Sequence, residues 1–182
     1  DPTDSVDTDV EGTGDNADTD DDGDGVSDAN DAFPLDATET VDTDNDGTGN
    51  NADTDDDDGG VEDSDEIING TDPLNKDSDN DGLPDIWEEQ FFDNLDQTAE
   101  GDPDSDGLNN AEEFEVGTKP DNADSDDDGY TDGVETGTGK WVSAQNTGTS
   151  PTKSDSDGDG LKDGVENPDL GYDSENPETQ SG

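Results

Sequence analysis

Aspartates recur at alternate positions along most of this sequence, and the third of each run is usually followed by glycine. The segment DSDGDGLKDGVE shows the pattern in full, with Asp155, Asp157 and Asp159 followed by Gly160 and closed by Glu166. Carboxylates at loop positions one, three and five can surround a cation, while glycine at position six permits a sharp turn. Position seven then supplies a backbone carbonyl, position nine helps directly or through water, and position twelve closes bidentately. The spacing therefore predicts an oxygen cage for calcium.

Four twelve-residue loops in the later part of the chain match this pattern at every ligand position. They start at residues 77, 102, 124 and 155, so the inserts between them vary while the loop itself is constant. A fixed loop between variable inserts indicates that the loop is the functional unit. The predicted ligands are Asp77, Asp79, Asp81, Leu83, Asp85 and Glu88; Asp102, Asp104, Asp106, Leu108, Asn110 and Glu113; Asp124, Asp126, Asp128, Tyr130, Asp132 and Glu135; and Asp155, Asp157, Asp159, Leu161, Asp163 and Glu166.

The amino-terminal third is a tandem repeat that carries the same pattern in a denser form. Its loops start at residues 7, 20, 42 and 55, and the first closes two residues before the second begins, so neighbouring cages would share a wall. The predicted ligands are Asp7, Asp9, Glu11, Asp15 and Asp18; Asp20, Asp22, Asp24, Val26, Asp28 and Asp31; Asp42, Asp44, Asp46, Asn50 and Asp53; and Asp55, Asp57, Asp63 and Glu66. Gly59 stands at position five of the last loop, which we expect to bind more weakly or to be completed by Asp58 or water.

The composition requires a cationic partner. The chain has 59 acidic residues and five basic ones, a formal net charge of -54, no cysteine, and only 20% hydrophobic residues. Such a chain repels itself and cannot offset the entropy of ordering, so without cations we expect it to be disordered. Clusters of Lys and Arg that bind phosphates are absent, which excludes nucleic acid and anionic membranes as direct partners. No apolar stretch is long enough for a transmembrane helix, so direct membrane insertion is not expected.

Two other interpretations of the acids fit the pattern less well. A solvated or salt-adapted surface predicts scattered Asp and Glu, whereas these acids alternate before glycine in loop after loop. Paired carboxylates that act as a catalytic acid and base need an apolar cleft, which a chain with so little apolar material cannot build. We therefore expect that the chain is not an enzyme. Magnesium is the rival ion, but flexible loops that offer six or seven oxygens suit the larger calcium ion.

Regular structure is expected to be sparse. The best helix is predicted over residues 84–96, with Trp87, Phe91 and Leu95 on one face. Shorter helical turns are predicted near residues 61–68, 110–116, 132–136 and 163–166, all too short to persist alone. We expect the aromatic side chains of the longest helix to pack against an apolar group consisting of Ile67, Ile68 and Leu74. For Trp141, in the longest insert, two roles stay open: a cap on the neighbouring loop, or a contact with another protein.

The acidic motifs resemble the thrombospondin type 3 repeat. The segment DNADTDDDGDGVSDANDAFPLDATE is similar to the microbial form, and DPDSDGLNNAEE is similar to single-loop units of secreted microbial proteins. The resemblance implies a chain that wraps a series of calcium ions with almost no hydrophobic core. Animal members place a disulfide cysteine where Ala17 and Ala52 stand, so here calcium would be the only cross-link.

Together these features predict mostly irregular calcium-wrapped loops with short helices, in an elongated tandem-repeat array with little hydrophobic core. We divide it into acidic repeats over residues 1–66, a loop with an amphipathic helix over 67–101, and three further loops over 102–182. The chain looks like part of a longer secreted protein. We expect an extracellular or cell-surface stalk, spacer or filament segment that binds about eight or more calcium ions. Besides calcium, the chain would bind further copies of itself in a filament, or other extracellular proteins. The alternative function is a calcium-dependent adhesion module or a dockerin-like docking module.

Overall fold

Short helices and irregular loops make up the structure, a computed structural model that describes residues 6–165. The α-helices are α1 (Asp63–Asn69), α2 (Asp85–Phe92) and α3 (Asn110–Val116), and single 3-10 turns follow at Asp132–Val134 and Asp163–Val165. Within the described residues there is no strand, only an isolated bridge between Ser143 and Asn146. No helix in that range is long and apolar enough to cross a membrane. The expected loop-rich fold is confirmed.

The helix ends follow from local sequence. Glycines in the left-handed conformation end α1 and α3, with φ of 92° at Gly70 and 85° at Gly117. A capping box begins α3, where the Asn109 side chain accepts a hydrogen bond from the Glu112 main chain and Glu112 returns one. The predicted extent of the longest helix was wrong at its carboxyl end. It stops at Phe92, because Asp93 takes a φ of 56°, which a right-handed helix cannot contain.

Buried hydrophobic side chains are confined, within residues 6–165, to one small cluster. Among the described residues, Leu83 and Trp87 are the only buried hydrophobic side chains. The ring of Trp87 lies 5.4 Å from that of Phe91, 5.9 Å from Phe92 and 6.1 Å from Phe114, all edge-on. The aromatic cluster of α2 therefore includes one residue of α3, Phe114.

The predicted partners of this cluster were wrong. Ile67 is 70% exposed, Ile68 is 78% exposed and Leu74 is 52% exposed. The physical reason lies in α1, whose buried residue is Glu66 and not an isoleucine. Because Glu66 faces the interior, the adjacent side chains of Ile67 and Ile68 lie on the exposed side of α1.

The described chain forms two compact units. The first comprises residues 6–78 with 84–86, and the second comprises residues 79–83 with 87–165. The boundary runs through the loop that starts at Asp77. Each unit contains several of the predicted metal loops.

Candidate metal centres

One main-chain hydrogen bond closes every predicted loop. The N–H at position nine donates to the carbonyl of the residue just before position one, from 2.8 Å between Asn110 and Gly101 to 3.2 Å between Asp15 and Val6. The bond occurs in all eight loops of the described chain. The first nine positions are therefore bent into a ring, which brings alternate side chains to its inside.

Two left-handed residues in each loop produce this bend. Position six is always glycine, with φ between 89° at Gly60 and 111° at Gly129. Position four is also left-handed in all eight loops, from 55° at Asp58 to 81° at Gly158. Sequence reasoning missed position four, although its frequent Asn, Asp, Ser or Gly is a usable signal, because these residues tolerate this conformation best.

The carboxylates at positions three and five are oriented by the loop's own N–H groups. In all eight loops the position-five N–H donates to Oδ1 of position three, as between Asp128 and Asp126 at 3.2 Å. In six loops the position-seven N–H donates to Oδ1 of position five, as between Tyr130 and Asp128 at 2.7 Å. One oxygen of each of these carboxylates is fixed in this way by the loop's own main chain.

The first three acids of a loop converge. Their carboxylate oxygens lie within 4.8 Å of one another in the triads Asp20, Asp22 and Asp24; Asp42, Asp44 and Asp46; Asp102, Asp104 and Asp106; and Asp124, Asp126 and Asp128. At position three, the Oδ2 atoms of Asp22, Asp57, Asp104, Asp126 and Asp157 are buried with no hydrogen-bond partner. A buried carboxylate oxygen without a donor is costly unless a cation binds it. The residues present therefore fit a bound calcium ion.

At position twelve, beyond the nine-residue ring, four of the loops have a buried glutamate. Glu66, Glu88, Glu113 and Glu135 are 3%, 0%, 0% and 6% exposed. The Oε2 atoms of Glu66 and Glu113 are buried without a donor. Buried glutamates at this position are available for the bidentate closure that the spacing predicts.

Three segments match the family model of the bacterial TSP3 repeat: residues 53–76, 77–90 and 155–168. These segments are bacterial TSP3 repeats. The resemblance stated from the acidic motifs is thereby confirmed. No curated protein matches the chain. Since TSP3 repeats are calcium-binding modules, the chain is a calcium-binding repeat protein.

Burial and the crowding of negative charge in the metal loops raise the pKa of their buried acids. Burial, and then the charges of Asp104 and Asp106, raise the pKa of Glu113 to about 8. Burial also raises the pKa of Glu135 to about 8 and of Glu66 to about 7, with neighbouring aspartates adding to both. Burial raises the pKa of Asp128 to about 6. In this arrangement without a cation, Glu113 and Glu135 would be mostly protonated at pH 7, whereas Asp128 would stay mostly ionised.

The side chain at position nine has a structural role in the metal loops. Its Oδ1 atom accepts the N–H of position two in seven of the eight loops, as between Asp132 and Ser125 at 3.0 Å. The exception is the loop from Asp102, where position two is Pro103 and has no N–H to donate. There the Asn110 side chain donates instead to the carbonyl of Thr98 at 2.9 Å.

The loops of the amino-terminal third join through their closing residues. Oδ1 of Asp18 accepts the N–H of Asp20 at 3.2 Å, and Oδ1 of Asp53 accepts that of Asp55 at 3.1 Å. The closing residue of one loop thus orients the first ligand of the next. In the loop from Asp55, Gly60 takes the position-six conformation, so Gly59 does occupy position five. The predicted ligand Glu166 lies outside the described residues.

Sequence reasoning missed two buried carboxylates. Glu39, between two loops, is 7% exposed and accepts the N–H of Asn51 at 3.0 Å. Asp56, at position two of its loop, is 9% exposed, and its buried Oδ1 atom has no hydrogen-bond partner. The signal for Asp56 was the repeat itself, since Asp21 and Asp56 replace the Thr, Ser or Pro found at position two elsewhere.

The insert that contains Trp141 folds back beside the loop from Asp124. Trp141 lies against Tyr130, with ring centroids 6.2 Å apart, and Thr147 donates its N–H to the carbonyl of Val134 at 2.9 Å. Of the two roles left open by the sequence, the structure shows the contact with the neighbouring loop.

Proposed function

We propose that the chain is an extracellular structural segment, a stalk, spacer or filament part, that bound calcium makes rigid. The observation that supports this proposal is that polar side chains, and not hydrophobic ones, make up most of the described interior. Carboxylates and amides fill most buried positions of the described chain, whereas its buried hydrophobic side chains are Leu83 and Trp87 alone. A fold with such an interior depends on the cations it binds, so that the free energy of binding becomes free energy of folding.

The residues that would hold calcium are those at positions one, three, five and twelve, with the carbonyl of position seven. The bound ion would supply positive charge where several carboxylates converge. The loop residues orient their own oxygens through the N–H bonds described above, and they offer six or seven flexible ligands, which suits calcium better than magnesium. We propose about eight or more ions in the complete chain, one in each loop and further ones where loops adjoin.

The placement outside the cell belongs to the same proposal. Extracellular calcium is abundant enough to fill weak sites, with dissociation constants on the order of 0.1 to 1 mM. We also propose that the chain has no catalytic activity, because its acids are distributed over repeated loops of the same design. Partners other than calcium would be a second copy of the chain or another extracellular protein.

Small-angle X-ray scattering tests the spacer role. A compact domain of this length would have a radius of gyration of about 16 Å. Each TSP3 loop should contact mainly its neighbours in an array, so we expect a clearly larger value in calcium. A further increase is expected in EDTA, where the chain becomes flexible. A calcium-bound value near the compact one would contradict the spacer role and favour the adhesion or docking alternative.

A further inference from the structure

The last residue of α1 and the glycine after it, Asn69 and Gly70, form the only Asn-Gly pair in the sequence. In such a pair the main-chain nitrogen of the glycine can attack the side-chain amide of the asparagine, because glycine has no side chain to hinder the approach. Asn69 is exposed, so water reaches it. A Cβ atom on Gly70 would meet no atom within 4 Å, so its surroundings are open. Neither burial nor crowding therefore protects the pair.

The main-chain conformation of α1 protects the pair instead. The N–H of Gly70 donates to the carbonyl of Glu66 at 2.7 Å, and the N–H of Thr71 donates to the same carbonyl at 3.0 Å. To attack, the Gly70 nitrogen would have to leave this carbonyl and turn toward the Asn69 side chain. Asn69 would at the same time have to leave the helical conformation that it adopts in α1. The pair can therefore react only when the end of the helix opens.

The stability of α1 depends on its surroundings. The helix has seven residues, far fewer than an isolated helix needs to persist in water. Its one buried residue is Glu66, a predicted calcium ligand, while Ile67 and Ile68 are exposed. No apolar face of α1 is thus buried to hold the helix in place. We expect loss of calcium from the loop that Glu66 closes to release the end of α1.

We propose that Asn69 is a site of spontaneous deamidation that the calcium-bound fold protects. After loss of calcium, the Gly70 nitrogen gives its proton to a base in the solvent and forms a bond to Cγ of Asn69. The side-chain nitrogen leaves as ammonia, which gives a cyclic succinimide. Water then opens the ring at either carbonyl and gives aspartate or isoaspartate. The inference rests on the proposed calcium-dependent fold, and it adds a covalent change that outlasts the loss of calcium.

Both products weaken the end of α1. Aspartate places a negative charge at the carboxyl end of a helix whose last turn has no basic residue, where the charge opposes the helix dipole. Isoaspartate adds one carbon to the main chain before Gly70. The N–H groups of Gly70 and Thr71 then no longer reach the Glu66 carbonyl in register. Restored calcium should therefore reform α1 poorly in the modified chains.

The test is storage of the full chain at mildly alkaline pH in three solutions: excess calcium chloride, EDTA, and EDTA with urea. Peptide mapping by mass spectrometry measures the conversion of the Asn69 amide. We expect similar rates in EDTA and in urea. In calcium the rate should be at least about tenfold lower, which corresponds to a free energy of about 1.4 kcal/mol for opening the helix end. Asn94 is the internal control, since it is exposed and the Leu95 side chain hinders attack, so it should react slowly throughout.

Asn69→Gln is the matched control variant, because glutamine forms the corresponding ring far more slowly. After equal storage in EDTA, added calcium should return the amide resonance of Gly60, in the loop that Glu66 closes, fully in the variant and only in part in the unmodified chain. Full return in both would overturn the lasting effect.

Equal conversion of Asn69 in calcium and in urea would overturn the proposal as a whole. Circular dichroism of the same three samples separates this result from a failure of the proposed function. If the helices persisted in EDTA and conversion were fast in urea alone, the fold would protect Asn69 without calcium. The calcium-dependent fold would then be contradicted, and calcium would not be what protects Asn69.

Discussion

The two oxygens of the carboxylate at position three have different environments. One oxygen accepts an N–H from the loop itself, and in Asp104 and Asp126 the other oxygen is buried without a donor. This division explains why the spacing alone is informative. An acid on an ordinary solvated surface would not have one oxygen held by a main-chain N–H and the other buried without a donor.

The closing glutamate should be the most sensitive single residue. Glu113→Gln removes charge and bidentate binding at a fully buried position, so we expect the calcium affinity of that loop to fall by at least about tenfold. Glu115→Gln is the matched control on the same helix, since Glu115 is exposed. Calorimetric titration of both variants measures the effect. Equal affinities in the two variants would show that Glu113 does not bind the ion.

Calcium binding should release protons near neutral pH. The pKa of Glu113 is raised from 4.5 to about 8, so the ion-free fold binds more protons than the unfolded chain within that window. The ion-free fold therefore loses this stabilisation as pH rises from about 4.5 to 8, while calcium requires the ionised form.

For loops that are already folded, we accordingly expect proton release when calcium is added at pH 7, and an affinity that increases with pH until it levels off above about 8. A pH-stat titration that starts from a folded chain partly filled with calcium measures these protons directly. Release at pH 7 that is no greater than at pH 9 over that range would contradict the assignment of the buried glutamates as ligands.

At the scale of elements, the loops should differ in strength. The loop from Asp55 has Gly59 where the other seven have a carboxylate, so its positions one, three and five offer two carboxylates where the others offer three. We expect it to fill last as calcium is added. The amide of Gly60, followed by NMR beside those of Gly25 and Gly129, gives the order. A midpoint for Gly60 at or below the other two would contradict this prediction.

Much of the loop design could be predicted from sequence, because ligand geometry fixes the residue type at each position. The closing bond at position nine could not, and the left-handed residue at position four could be predicted only in part, since residues as different as Val10 and Asp127 adopt that conformation. The hydrogen bond from the Gly133 N–H to Oδ2 of Asp106 in the preceding loop was equally hidden. The pattern shows a glycine there, and only the fold shows what lies against it.

The errors in the predicted helices share one cause. Rules for amphipathic helices assume that apolar side chains face the interior, which led to a long α2 and to a buried role for Ile67 and Ile68. In this chain α1 instead turns Glu66 inward. Where carboxylates form the interior, the apolar face of a short helix is not a guide to its orientation.

At the scale of the whole molecule, the formal net charge of -54 opposes every contact that the loops make. Two unit charges about 4 Å apart repel by about 1 kcal/mol even in water, and each loop brings several together. Monovalent salt screens such repulsion but does not close a loop, so sodium chloride should substitute poorly for calcium. We therefore attribute the fold as a whole to bound divalent ions.

The most direct test of that claim is to remove calcium from the folded chain. Far-ultraviolet circular dichroism and the hydrodynamic radius should both change sharply on adding EDTA, with loss of α1, α2 and α3 and an expanded chain. Excess calcium should restore both signals, and magnesium at equal concentration should restore them poorly. A chain that kept its helices and its radius in EDTA would contradict the account, because its fold would then be stable without the ions.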